Sequence, residues 1–190
     1  MELCVTDLEK SYDGRAVFRG LTFTAPVGLT RIAGDSGIGK TTLLRILLGL
    51  EKADGGTVSP QDLRWAAVFQ EDRLLTQLDA EGNLRFALGA AYDEKRAAAL
   101  LAELGLGGAG DKKVRDYSGG MKRRLALVRA LLVPFDALVL DEPFTGLDEE
   151  NRRRAIACIQ ARADGKPVLL VTHREEDAAG LAAQIVMLPI

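Results

Sequence analysis

Residues 34–41 read GDSGIGKT, between an apolar run, LTRIAG at 29–34, and a leucine-rich stretch, TTLLRILLGL at 41–50. The spacing G-x-x-x-x-G-K-[ST], placed after a strand and before a helix, dictates a strand, a tight glycine loop and a helix in that order. Such a loop points successive backbone N–H groups at an anion, and the helix N-terminus behind it adds its dipole. Gly34, Asp35, Ser36, Gly37, Ile38 and Gly39 would then wrap phosphates. Lys40 would neutralise the β/γ charge, and the hydroxyl of Thr41, next to Thr42, can ligate Mg²⁺.

A strand–loop–helix unit needs a sheet around it, and the rest of the chain supplies one. AAVFQ at 66–70, ALVLDE at 137–142 and VLLVTH at 168–173 are short apolar runs that each stop at a polar residue, as strands buried on both faces do. Arg31, a charged residue in the strand before the loop, has no explanation in the pattern. Between 73 and 115 leucine and alanine recur at helical spacing and end in a Gly-rich stop, which predicts a helical insertion. Helical pattern returns at 119–133, 148–163 and 174–183, and this alternation favours a parallel sheet covered by helices.

With 190 residues, 47% of them apolar, the chain can bury about 70% of its unfolded surface in one domain. Its 25 basic and 27 acidic side chains nearly cancel, so no positive field exists for nucleic acid. Cys4 and Cys158 are far apart and His173 is the single histidine, which excludes a zinc site and a disulfide framework and suits reduced thiols, as in cytosol. The start MELCVTDLEK is acidic rather than leader-like, and no run of eighteen apolar residues occurs. The expectation is a soluble protein that docks on something in a membrane.

The strand ends carry the remaining candidates, because ligands of open α/β sheets gather at the C-terminal edge. Asp141 is placed for the Mg²⁺ shell and Glu142 to hold an attacking water as general base. Taken alone the pair is also what a strand followed by a solvated turn looks like. His173, ending another apolar run, suggests contact with a γ-phosphate, or is simply a polar strand terminus. Gln70 could meet the metal or its water, or be a loop glutamine. Tyr12 could stack on an adenine ring. Arg152, Arg153 and Arg154 follow the helix start DEEN and read as a solvated face.

The ordered set of glycine loop, Gln70, YSGGM at 117–121, ALVLDEP at 137–143, TGLD at 145–148 and VTH at 171–173 resembles the nucleotide-binding subunit of ATP-binding-cassette transporters, over essentially the whole chain. The resemblance implies one α/β domain over 1–190 with a P-loop NTPase fold: a mainly parallel sheet flanked by helices, a small antiparallel β subdomain, and an all-helical insertion at approximately 72–122. It implies that Ser118, Gly119 and Gly120 form a signature turn that closes over ATP held by a second copy. A head-to-tail homodimer with two Mg-ATP follows, with Asp148 at the seam helping to set the water. Tyr117 and Met121 stand where the commonest signature has leucine and glutamine, while the central SGG is intact. The stretch from Lys40 to Gln70 is short, so the antiparallel subdomain is expected to be trimmed, and no regulatory domain is expected after IVMLPI.

VFQEDRLL, EGNL, SGGM and DEPF are similar to the cassettes of importers for nitrate, sulfonates and taurine. That likeness implies an ATPase on the inner face of the cell membrane, held there by permease subunits, with residues 71–92 as the docking surface and an extracytoplasmic substrate-binding protein outside. An export ATPase, a soluble non-transport cassette, a kinase and a nucleotide-gated interaction module are the competing readings. Two cassettes in one chain or a coiled-coil insertion, as soluble cassettes usually carry, are absent, and a kinase would not need SGG, TGLD and VTH together.

Overall fold

Ala137–Asp141 and Pro167–Val171 are buried at every position, so both faces of these strands are covered, as in the middle of a parallel sheet. The computed structural model describes residues 2–110, 112–174 and 184–188. Its strands are β1 Leu3–Tyr12, β2 Arg15–Ala25, β3 Gly28–Ala33, β4 Gly55–Ser59, β5 Trp65–Val68, β6 Ala137–Asp141, β7 Pro167–Val171 and β8 Gln184–Met187. The α-helices are α1 Lys40–Leu47, α2 Ala80–Leu88, α3 Glu94–Glu103, α4 Gly119–Leu132 and α5 Glu149–Arg162.

Five strands form one sheet in the order β5-β6-β7-β3-β8, with β6, β7, β3 and β8 paired in parallel. β1, β2 and β4 form a separate antiparallel sheet in the order β2-β1-β4. Packing divides the chain into two units, Met1–Trp65 with Phe135–Asp141 and Gly165–Ile190, and Ala66–Pro134 with Glu142–Asp164.

In the first unit, β1 and β2 join through Asp13 and Gly14, at φ 48° and 77°. Two consecutive left-handed residues make the turn whose twist matches a hairpin, and Asp-Gly is a preferred pair there. Leu3, Val5 and Leu8 of β1, Phe18 of β2 and Leu43 of α1 are all buried. Each such side chain contributes about 1.5–3 kcal/mol relative to exposure.

In the second unit, α4 packs against α2, α3 and α5. Side chains cap four helices: Asp79 accepts from Gly82 N at 2.8 Å, Asp93 from Arg96 N at 3.1 Å, Ser118 from Met121 N at 3.2 Å and Asp148 from Asn151 N at 2.8 Å. Each satisfies a backbone donor that the first turn leaves without an intrahelical partner. The leucine pattern from 74 predicts an earlier helix than the one found. Leu74–Leu78 is non-helical because Asn83 holds it, accepting from Leu75 N at 2.8 Å and donating to Leu75 O at 3.0 Å, and α2 starts only after Asp79. The helix expected over 174–183 lies, from residue 175 on, outside the described residues.

Candidate functional site

In the first unit the chain leaves β3 at Ala33 and turns through Gly34, Gly37 and Gly39, at φ 148°, 83° and 110°. Side chains rarely adopt these angles. Gly39 is also hemmed in, since a Cβ there would stand 2.4 Å from Val17 Cγ1. α1 then begins on Gly39 with no side-chain cap and no acidic residue in its first turn. Lys40, the first residue of the helix, is buried at 9% exposure. The ammonium donates to the carbonyls of Gly34 and Asp35, at 2.7 Å each. Asp35, Ser36, Gly37 and Thr41 are exposed, and Gly34, Ile38 and Thr42 half-buried. A glycine loop with a positive charge at a helix N-terminus suits an anion.

Register brings a carboxylate level with this loop. Asp141 of β6 pairs with Val171 of β7, and Val171 with Ile32 of β3, so β6 and β7 end level with each other and within one residue of the end of β3. Asp141 is buried, at 5% exposure. Beyond Val171 come Thr172, buried, whose hydroxyl accepts from Arg174 N at 3.2 Å, and His173, exposed. The strands are shorter than the apolar runs suggested: β6 ends at Asp141, one residue before Glu142, β7 ends two before His173, and β5 two before Gln70. Glu142 turns the chain off the edge at φ 49°, a left-handed angle uncommon outside glycine and frequent at functional sites.

Tyr12, last residue of β1, is 43% exposed. Its phenol donates to the Glu51 carboxylate, and Lys10 Nζ lies 5.0 Å from the ring centroid. Glu51 is in turn within 3.3 Å of Lys10 and 3.4 Å of Arg45. The phenol's hydrogen bond holds the Glu51 carboxyl below its ordinary range, and the carboxylate raises the phenol pKa.

The second unit holds Gln70, Glu142, Ser118, Gly119, Gly120 and Asp148. Ser118 caps α4 with its oxygen, which leaves its hydroxyl proton to donate elsewhere. Gly119 has open space around it. Asp148 caps α5 and also accepts from Asn151 Nδ2 at 2.8 Å; the backbone bond from Asn151 leads in holding its carboxyl low. The SGG and TGLD turns meet, because Gly120 abuts the carbonyl of Gly146. Arg124, buried, donates to Leu104 O at 2.8 Å, Gly105 O at 2.9 Å and Gly120 O at 3.2 Å. Gln70 is exposed, and its backbone is held by Arg123. Sequence reasoning passed over Glu51, Arg123 and Arg129. Arg123 carried a signal, since it lies on the same helical stripe as the buried Leu127 and Leu131.

The ABC transporter family profile matches residues 18–145. The chain is 38% identical to the aliphatic sulfonates import ATP-binding protein SsuB 1 of Rhizobium johnstonii, over 98% of this chain and 73% of that protein. It is also 38% identical to the Nod factor export ATP-binding protein I of Burkholderia orbicola, over 94% of this chain and 65% of that one. Among solved structures, one described as the ATP binding subunit of an ABC transporter superposes with a TM-score of 0.89 at 26% identity, covering 99% of this chain and 86% of that one. Motif order, sheet topology and likeness over nearly the full length agree, and the chain belongs to the ABC transporter family.

Proposed function

We propose that this chain is the ATPase subunit of a small-solute importer, working as a head-to-tail homodimer that closes on two ATP and opens after hydrolysis. The observation that carries this reading is the level edge: the glycine loop leaves β3 and Asp141 ends β6, with β7 between them. Phosphates bind on the N–H groups of residues 34–42 and on Lys40, and Tyr12 offers the adenine a ring face. Thr41, Gln70 and Asp141 are oxygen donors of the hard type that Mg²⁺ takes, and one buried carboxylate is the usual complement beside phosphate oxygens and water. When bound, the ion would neutralise charge on the transferring phosphoryl group.

Glu142 orients and deprotonates the attacking water, and His173 contacts the γ-phosphate. Ser118, Gly119 and Gly120 donate to the γ-phosphate held by the other copy, with Asp148 at the seam. This division of labour is supported by the uncapped α1 in one unit and the open Gly119 turn in the other. Because the γ-phosphate bridges the copies, its loss removes the differential affinity that holds them. A docked permease is switched between its two facings by that cycle. Residues 71–92, with Leu75 39% and Phe86 75% exposed, form the docking surface on the inner face of the membrane. Among the described residues no helix is long and apolar enough to cross it. Import, with an extracytoplasmic substrate-binding protein, is favoured by the likeness to sulfonate import proteins.

The test is Glu142→Gln. It should bind ATP, lose on the order of 10²–10⁴ in turnover and accumulate a dimer in ATP on gel filtration. A monomeric, fully active variant would refute the assignment.

A further inference from the structure

Two arginines of α4 reach back to the segment that carries Gln70. Arg123, 6% exposed, forks across consecutive carbonyls, donating to Phe69 O at 2.6 Å and to Gln70 O at 2.5 Å. The same guanidinium lies 3.3 Å from the Asp72 carboxylate. Six residues on, Arg129 donates to Arg73 O at 2.6 Å and to Asp72 O at 2.9 Å. Between Val68 and Ala80 the chain has no helix or strand, and Arg73 sits at φ 48°. The backbone at residues 69, 70, 72 and 73 thus takes its fixed points from one helix.

A leucine or methionine would satisfy the packing at position 123, since Leu127 and Leu131 do so on the same stripe. What packing cannot supply is a planar fork matched to two carbonyls. Such bonds from a cation are stronger than neutral ones and lock geometry as well as distance.

We propose that Arg123 and Arg129 are positioning residues for Gln70: they fasten its loop to α4 and so fix where the Gln70 side chain stands. The inference rests on reading Gln70 as part of the nucleotide site. The two arginines act on the chemistry only through the loop and touch no nucleotide.

The experiment is steady-state ATP hydrolysis by the purified chain carrying Arg123→Met, Arg123→Lys, Gln70→Ala, and Arg123→Met with Gln70→Ala. Misplacing a site residue by about an ångström costs roughly 10- to 100-fold in rate, and Arg123→Met should lower kcat by that order. It should also raise the Mg²⁺ concentration giving half-maximal rate, with the KM for ATP little changed, because Lys40 and its loop are untouched. Arg123→Lys should recover part of the loss. The doubly substituted chain should be no slower than Gln70→Ala, since two residues in one chain of effect are not additive.

Multiplying losses, or a raised KM at unchanged kcat, would overturn the proposal. If Gln70→Ala itself leaves kcat and Mg²⁺ dependence unmoved, the reading of Gln70 fails, and the positioning role with it. Should Arg123→Met not fold, Arg129→Met, whose native side chain is half-buried, is put through the same cycle: a lowered kcat that does not multiply with Gln70→Ala supports the positioning role, and multiplying losses overturn it.

Discussion

A Cβ on Gly120 would stand 2.7 Å from the carbonyl oxygen of Gly146, so the signature turn and the TGLD turn touch through bare backbone. Gly119, one residue earlier, has nothing within 4 Å of the same added atom. The two glycines therefore serve different ends: Gly120 lets two turns pack, and Gly119 leaves a face uncovered. Gly120→Ala should cost roughly 1–3 kcal/mol, the usual penalty for forcing atoms into filled space, and should lower the Tm. Gly119→Ala should hold or raise stability by up to about 1 kcal/mol, because alanine favours a helix. Both should lose ATPase activity, read by phosphate release beside thermal melts.

The glycine loop was legible because its chemistry demands residue types that few other contexts tolerate, and β6 and β7 because unbroken apolar runs have few other uses. The antiparallel strands β1, β2 and β4 were not drawn from the residues. Their burial alternates irregularly, with register shifts between Val5 and Leu8 and between Thr6 and Glu9, and a shift of one position moves an apolar side chain to the opposite face. The start of α2 was misplaced because Leu74–Leu78 imitates helical spacing while the side chain of Asn83 dictates its path. Arg123 and Arg129 were hidden for a related reason: basic residues on a helix ordinarily mark a solvated face, and these reach backbone carbonyls.

Tyr117 stands where leucine is commonest in the signature, and its environment treats it as apolar. It is 4% exposed, and its hydroxyl has no partner among the described residues. Burial accordingly raises the phenol pKa. A buried polar atom without a partner is costly, so removing it is neutral or favourable. Tyr117→Phe should keep full ATPase activity and melt at the same temperature or higher, by about 1 kcal/mol at most. A clear drop in Tm would show that the hydroxyl is bonded after all.

Arg64 and Asp136 pin the starts of β5 and β6. The guanidinium donates from Nε at 2.8 Å and from Nη2 at 2.7 Å, and the backbone N–H of Arg64 adds a third bond at 3.0 Å. These bonds, the side-chain pair first, hold the Asp136 carboxyl well below the usual carboxylate range. A folded-state pKa depressed in this way stabilises the protein above the unfolded value of about 3.9, and that contribution is lost as pH falls toward the folded value. Asp136→Asn should therefore narrow the stability difference between neutral and acid pH. Melts from pH 7 down to pH 3 check this: the variant's deficit should be constant above about pH 5 and shrink below it. A deficit that grows with acid would mean the pair is not what is titrating.

Glu51 sets where the Tyr12 ring stands, because the phenol has its hydrogen bond to that carboxylate while Lys10 lies over the ring. The ring is a useful platform for a base only if it is held there beforehand, since ordering it on binding would subtract from the affinity gained. An aromatic contact is worth about 0.5–1.5 kcal/mol beyond its buried area, a factor of roughly 2 to 12 in affinity. Tyr12→Leu should therefore weaken ATP binding by that factor with kcat unchanged, and Glu51→Gln should move in the same direction by less. Tripolyphosphate, which has the phosphates and no base, separates this effect from damage to the glycine loop. Its inhibition constant, corrected for the weaker ATP binding, should be the same in the native chain and in both variants, whereas a parallel loss for tripolyphosphate would place Tyr12 and Glu51 in the support of the loop rather than of the ring.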